Sequence, residues 1–202
     1  MPHPPLPPDP APVDLPSPVD LPSGEGPPAP PGAGRRADGE ALRRAMRRLA
    51  APVVVVTTET EEGPRGATIG SFTSVSLDPP LVSFNVTRGT QLHRALVRAD
   101  RFAVHFLGAE HAALAAHFAI PDLDGAAQFE AVPHRRFPDG HPPLLGGTLG
   151  VLVCTPESRF ATGDHSIFVG CVEAVLPGRD GSPLLYHRQT YRGVGEEVGR
   201  EK

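Results

Sequence analysis

The sequence predicts a mainly β fold, a β-barrel decorated by about three helices, and three observations carry that prediction. About six β-rich runs cluster along the chain instead of alternating one for one with helices, which disfavours a doubly wound parallel sheet. The stretch at 66–91, GATIGSFTSVSLDPPLVSFNVTRGTQ, joins two apolar strand patterns through a Pro-Pro corner and sets small hydroxyl residues between them. The residues before about position 39 show no sustained apolar period, so the folded part is confined to the rest of the chain.

That first segment, residues 1–38, reads as a disordered, proline-rich tail. It holds 14 of the 26 prolines within its first 31 residues and no aromatic residue, so it has too little apolar surface to offset its ordering entropy. Its five acids, Asp9, Asp14, Asp20, Glu25 and Asp38, outnumber Arg35 and Arg36, a balance of −3. The whole chain of 202 residues carries −4, which leaves −1 for the single domain expected over 39–202.

The elements follow in order. Residues 39–50 place Leu42, Met46 and Leu49 on one helical face with Arg43, Arg44, Arg47 and Arg48 on the other side, an amphipathic opening helix. Pro52 ends it, and the β-branched run 53–58 suits a strand buried on both faces. A turn is expected at 59–64, then the hydroxyl-rich stretch. Residues 90–99 read as a helix with Thr90 as its N-cap and Leu92, Ala95, Leu96 and Ala99 on one side. Residues 102–107 return to strand and 108–119 form an alanine-rich helix. Residues 120–148, with scattered prolines and charges, read as a long irregular connection. The last long strands are 149–155 and 167–176, separated by a segment with a turn at Gly163-Asp164-His165, and a short segment closes at 184–192.

Composition narrows the function. A near-neutral domain without a basic stripe, and with few aromatic residues, is not built for nucleic acid. No apolar run approaches the ~20 residues of a membrane span, and the proline-rich start lacks the basic and apolar regions of a secretory signal, so a cytoplasmic protein is expected. Cys154 and Cys171 sit in apolar strand-like runs without metal or CxxC spacing and read as buried, reduced thiols. His111 and His117, six apart on one helix, diverge too far to share a metal. Motifs for dinucleotide, P-loop, serine-hydrolase or zinc-peptidase chemistry are missing, which shifts the chemistry to a bound cofactor. The mixture of hydroxyls, backbone amides and apolar surface at 66–91 suits a flat, phosphorylated ligand, with the Thr87-Arg88-Gly89-Thr90 corner as a seat for its phosphate.

The run IGSFTSVSLDPPLVSFNVTRGTQL resembles the signature of the flavin reductase-like, FMN-binding split-barrel family. Four further stretches match in the family's order: LRRAMRRLAAPVVVVTT, RFAVHFL, GDHSIFVGCVEAV and PLLYHRQTYR. The resemblance covers about residues 40–192 and implies an FMN-binding split β-barrel. It implies an NAD(P)H:flavin oxidoreductase that passes hydride from NADH or NADPH to FMN or FAD, as the homodimeric reductase component serving a separate monooxygenase. A flavin carrier or sensor without NAD(P)H oxidation is the alternative use of the same fold.

Carried over by position, the resemblance implies that Ala67, Thr68, Gly70, Ser71, Thr73 and Ser74 line the flavin ring and ribityl chain. The loop from Asn85 to Gln91 holds the phosphate through Thr87, Arg88, Thr90 and backbone amides. His165 faces the nicotinamide and orients it or balances charge, while Tyr186, His187, Arg188 and Tyr191 contribute to the same pocket. Three positions depart from the family's usual pattern: Gly70 where a polar side chain is common, His105 in place of Asn, and Pro52 in place of Gly.

Overall fold

The computed structural model describes residues 37–121, 123, 125–137 and 140–195. The segment expected to be a tail lies outside them apart from Ala37 and Asp38. Asp38 caps the first helix, α1 (Gly39–Met46): its Oδ1 accepts from the Glu40 N–H at 2.6 Å. There follow β1 (Ala51–Pro52), β2 (Val54–Thr60), β3 (Gly63–Ile69), β4 (Thr73–Leu77), β5 (Pro80–Thr87), α2 (Gln91–Arg98) and β6 (Phe102–Phe106). A 3-10 turn at Ala109–His111 leads into α3 (Ala112–Phe118), then α4 (Gly125–Glu130), β7 (His134–Arg135) and β8 (Leu144–Leu145). The chain ends in two long strands, β9 (Gly150–Thr162) and β10 (His165–Pro177), and a small hairpin of β11 (Leu185–His187) and β12 (Thr190–Arg192).

Seven strands form one antiparallel sheet in the order β3-β2-β6-β9-β10-β5-β4. The sheet curls far enough that β3, its first strand, comes beside β5, its sixth. Ser71, two residues past β3, crosses this gap: its hydroxyl accepts the Asn85 N–H of β5 at 2.9 Å. The barrel is therefore split along one seam, between β3 and β5, and the cavity described below opens there. No helix among the described residues is long and apolar enough to cross a membrane.

Strand β2 explains why two cores form. Val54 and Val56 point into the barrel with Phe84, Phe102, Val104 and Phe168, while the alternate Val53 and Val55 face Leu107, Phe118, Phe129 and Leu184 under the helices. Inside the barrel Phe84 meets Phe102 edge-on at 5.3 Å and stacks on Phe168 at 5.9 Å. His105 on β6 is fully buried between the layers. Its Nε2 accepts the Leu145 N–H at 3.1 Å, which leaves Nδ1 as the protonated nitrogen donating to the Val55 carbonyl at 3.0 Å. His105 thus clips β8 to β2. Cys154 is buried, its thiol pushed up to about 12 by burial, whereas Cys171 is only half-buried; both are free.

The fold is mainly β with helices, as the sequence predicts, but the element list needs correction. There are four α-helices among the described residues, the fourth being α4 inside the stretch expected to be irregular, which also carries the β7–β8 pair. The first half of the hydroxyl-rich stretch is not one strand but parts of two, β3 and β4, broken at residues 70–72. Strands β9 and β10 run well past 155 and begin before 167, so that PESRFAT is strand and Gly163-Asp164 is the tip of a hairpin. Helix α1 buries none of its residues against the rest of the fold: Leu42 is 60% and Met46 54% exposed, and Leu49, past its end, is 59% exposed.

Candidate active site

A cavity of about 820 Å3 lies at the barrel seam. One wall is the end of β3 and the chain after it, Gly66 to Ser71; the other is the end of β5 and the start of α2. Residues following α3 and the side chain of Leu123 form the floor, and Leu42 and Met46 of α1 border the opening. Its size falls within the range of ~300–1,000 Å3 typical of small-molecule sites.

The β3 wall is held by long-range polar contacts. The Gln128 amide of α4 grips the Gly66 backbone twice, Oε1 accepting its N–H and Nε2 donating to its carbonyl, each at 3.1 Å and buried. Gly66 has no room for a side chain, because a Cβ would lie 2.8 Å from Phe118 Cε1. Thr68 donates its hydroxyl proton to the Ala115 carbonyl at 2.7 Å, tying the wall to α3. Gly70, in contrast, has open space, the nearest atom to an added Cβ being 3.7 Å away.

The opposite wall ends in a capped helix. Thr90 donates to the Thr87 carbonyl at 2.9 Å and accepts the His93 N–H at 3.3 Å, so that α2 begins beside the cavity with its positive dipole end. Arg88 turns elsewhere: its N–H donates to the Asp164 carbonyl at 2.9 Å and its guanidinium reaches the Gly163 carbonyl at 3.4 Å. Burial, followed by the charges of Arg159, Arg88 and Arg94, lowers the pKa of His93, whose Nε2 lies 3.0 Å from the Ser166 hydroxyl.

His165 is placed by strand register. It stands directly opposite Thr87 in the β5–β10 pair, and its Nε2 is 3.1 Å from Thr87 Oγ1. Its Nδ1 is 2.7 Å from Asp164 Oδ1. The hydrogen bond from His165, then its charge, lowers the pKa of Asp164, whose carboxylate therefore accepts the Nδ1 proton. In the neutral imidazole this leaves Nε2 as an acceptor for the Thr87 hydroxyl.

The structure brings Ala67, Thr68, Gly70, Ser71, Asn85, Thr87, Thr90, Gln91 and His165 together around one cavity. The other expected site residues do not line it. Thr73 and Ser74 lie on the exposed edge strand β4, where the chain has already turned away from the wall. Arg88 is turned to the β9–β10 tip. Tyr186, His187 and Tyr191 belong to the small sheet β1-β11-β12, in which the two tyrosine rings pack 5.3 Å apart, and Arg188 lies in its β11–β12 turn, its N–H donating to the Arg47 carbonyl at 3.1 Å. Burial, then the neighbouring Tyr186, raises the Tyr191 phenol. Sequence reasoning missed Gln128, Asp164, Leu42 and Met46; only Asp164, beside His165 in the GDH tripeptide, carried a local signal.

Comparison with known proteins agrees with this architecture. Residues 46–195 match the model of the flavin reductase like domain. An NADH-dependent FMN reductase of Agrobacterium fabrum is 38% identical over 150 residues, covering 72% of this chain and 80% of that protein. The reductase component of 4-hydroxyphenylacetate 3-monooxygenase of Thermus thermophilus is 36% identical over 153 residues, covering 76% of this chain and 95% of its own. Among solved structures, the NADH:FAD oxidoreductase SgcE6 of Streptomyces globisporus, in complex with NAD and FAD fragments, superposes with a TM-score of 0.73 at 33% identity over 80% of this chain and 96% of that one. With three-quarters of its length matched in sequence and its barrel matched in space, the chain belongs to the flavin reductase-like family.

Proposed function

We propose that this protein is an NAD(P)H-dependent flavin reductase that supplies reduced FMN or FAD to a separate monooxygenase. The observation that carries the reading is the seam cavity, which combines a small-residue wall, a capped helix start and a histidine fixed by strand pairing. The residues present fit a flavin: Gly66, Ala67 and Gly70 let the backbone approach a flat ring, and the start of α2 offers amides and a positive dipole end to a phosphate. Ala67, Thr68, Gly70 and Ser71 would hold the ring and chain. Asn85, Thr87, Thr90 and Gln91 would hold the phosphate end. Arg88 would act on it only after leaving the Gly163 carbonyl. Thr73 and Ser74, exposed on β4, and the tyrosine hairpin are assigned no direct contact within one chain.

When bound, the flavin supplies the two-electron acceptor that no side chain here can provide. What the chain contributes is orientation. Hydride transfer needs donor and acceptor rings stacked with reacting atoms ~3–3.5 Å apart, and a wall fixed at Gly66 and Thr68 limits the positions available to one ring. His165, held between Asp164 and Thr87, presents a fixed imidazole edge to the nicotinamide side.

The same proposal includes a homodimer and a cytoplasmic location. Edge strand β4 leaves Val75 and Leu77 exposed and the outer half of β9 leaves Phe160 exposed, an apolar surface that a second copy would cover. Two free thiols suit a reducing compartment. The deciding experiment supplies the full chain with FMN and NADH and follows NADH absorbance. Catalysed loss is expected, whereas bound flavin with neither NADH nor NADPH consumed would favour a carrier. Sedimentation at assay concentration should give twice the chain mass.

A further inference from the structure

We propose that Arg43 of α1 and Arg47, the C-cap residue of that helix, hold the pyrophosphate bridge of the nicotinamide dinucleotide at the mouth of the cavity. The inference rests on the reductase reading above and goes beyond it by assigning a binding role to the opening helix. Leu42 and Met46, one turn apart on α1, line the cavity although no other part of the described chain buries them. Each is followed directly by an arginine. At about 100° per residue, Arg43 and the helical C-cap Arg47 flank the apolar row, while Arg44 falls about 200° round, on the opposite side, and Arg48 lies in the turn beyond the helix. A helix whose apolar row borders the opening therefore presents Arg43 and Arg47 beside it and Arg44 away from it.

The surroundings support this placement. Beside the lining residue His165 stands the Asp164 carboxylate, 88% exposed and bonded to it. A dinucleotide reaching His165 brings two phosphate charges past that carboxylate and needs a counter-charge. Arg43 lies close enough for its charge to help hold Asp164 ionised. Its only acid partner among the described residues is Glu40, at 2.9 Å and exposed, a pair of the kind worth ~0–1 kcal/mol and readily exchanged for a phosphate. Arg47 makes no ion pair among the described residues. Its carbonyl accepts the Arg188 N–H, which fixes the end of α1 relative to the β11–β12 turn. Two guanidinium forks one turn apart match a pair of linked phosphates better than ammonium groups would.

The test compares the full-length wild type, the double variant Arg43→Ala/Arg47→Ala and the control Arg44→Ala/Arg48→Ala, using NADH and reduced nicotinamide mononucleotide, which lacks the pyrophosphate bridge. For the first variant KM for NADH should rise about tenfold, with kcat, flavin affinity and kcat/KM for the mononucleotide held within about twofold. The control should match wild type. An unchanged KM for NADH, an equal loss with the mononucleotide, a comparable loss of flavin affinity, or the same loss in the control would each overturn the assignment. If wild type consumes no nucleotide, the reductase reading falls with it; if only the variant comparison fails, that reading stands.

Discussion

His165 Nε2 and Thr87 Oγ1 meet at 3.1 Å because the two residues are directly paired across β5 and β10, with Asp164 holding the other ring nitrogen at 2.7 Å. The imidazole edge is thus set by sheet register and not by a loop. His165→Ala should lower kcat/KM for NADH at least about tenfold, or ~1.4 kcal/mol of barrier, while its partial exposure leaves the melting temperature within about 2 °C of wild type. Thr87→Val should give a smaller loss in the same direction. Steady-state rates alongside thermal melts check both, and an unaltered rate for His165→Ala would remove its positioning role.

Gln128 and Gly66 are 62 residues apart and exchange two buried hydrogen bonds. Gln128→Leu leaves both backbone groups without partners, at about 1–3 kcal/mol for each buried polar group. We expect a stability loss of about 2–4 kcal/mol by urea denaturation and weaker flavin binding, because the β3 wall loses its tie to α4. The isosteric Gln128→Glu tests whether amide chemistry matters, since a carboxylate cannot donate to the Gly66 carbonyl at neutral pH.

Much of this site was legible because its cues are local. Six β-branched residues in a row, 53–58, announced β2, Thr90 announced the cap of α2, and the hydroxyl-rich run marked the two walls now facing each other. What escaped has physical reasons. Helix α4 is six residues long, too short for a period to show, and Gln128 reveals its purpose only through a contact 62 positions away. The outer half of β9 is exposed on both faces and contains Pro156, which is accommodated where the β9–β10 register shifts. Leu42 and Met46 were read correctly as one face of a helix, but the pattern alone could not say that this face borders a cavity.

Gly66 and Gly70 line the same wall with opposite tolerance. A Cβ at Gly66 would stand 2.8 and 3.0 Å from two Phe118 ring carbons and 3.4 Å from Phe129 Cζ, whereas at Gly70 the nearest atoms are 3.7 and 3.9 Å away. Gly66→Ala should therefore cost about 1–3 kcal/mol through overpacking and shift the wall, raising the flavin Kd. Gly70→Ser should fold as wild type and add a hydroxyl to the wall, leaving the flavin Kd equal or lower. Denaturation curves and flavin titration of the two variants side by side give the comparison; equal behaviour would mean that the wall is softer than its packing indicates.

His105 makes stability depend on pH in a definite direction. Burial lowers its pKa from 6.5 to about 4, only partly opposed by its bond to the Val55 carbonyl. The unfolded chain then takes up a proton near pH 6.5 that the folded chain refuses until about pH 4. The stabilisation is present in full above pH 6.5 and is lost as pH falls toward 4. At 1.36 kcal/mol per unit the loss is roughly 3 kcal/mol. Protonation of Nε2 would also remove the acceptor for the Leu145 N–H and release β8 from the sheet. His105→Leu should be less stable than wild type at pH 7, where two buried backbone groups lose their partner, yet its disadvantage should shrink by about this amount between pH 7 and pH 4.5. Urea midpoints of both proteins across that range read the effect, and parallel curves would show that His105 does not titrate in the transition.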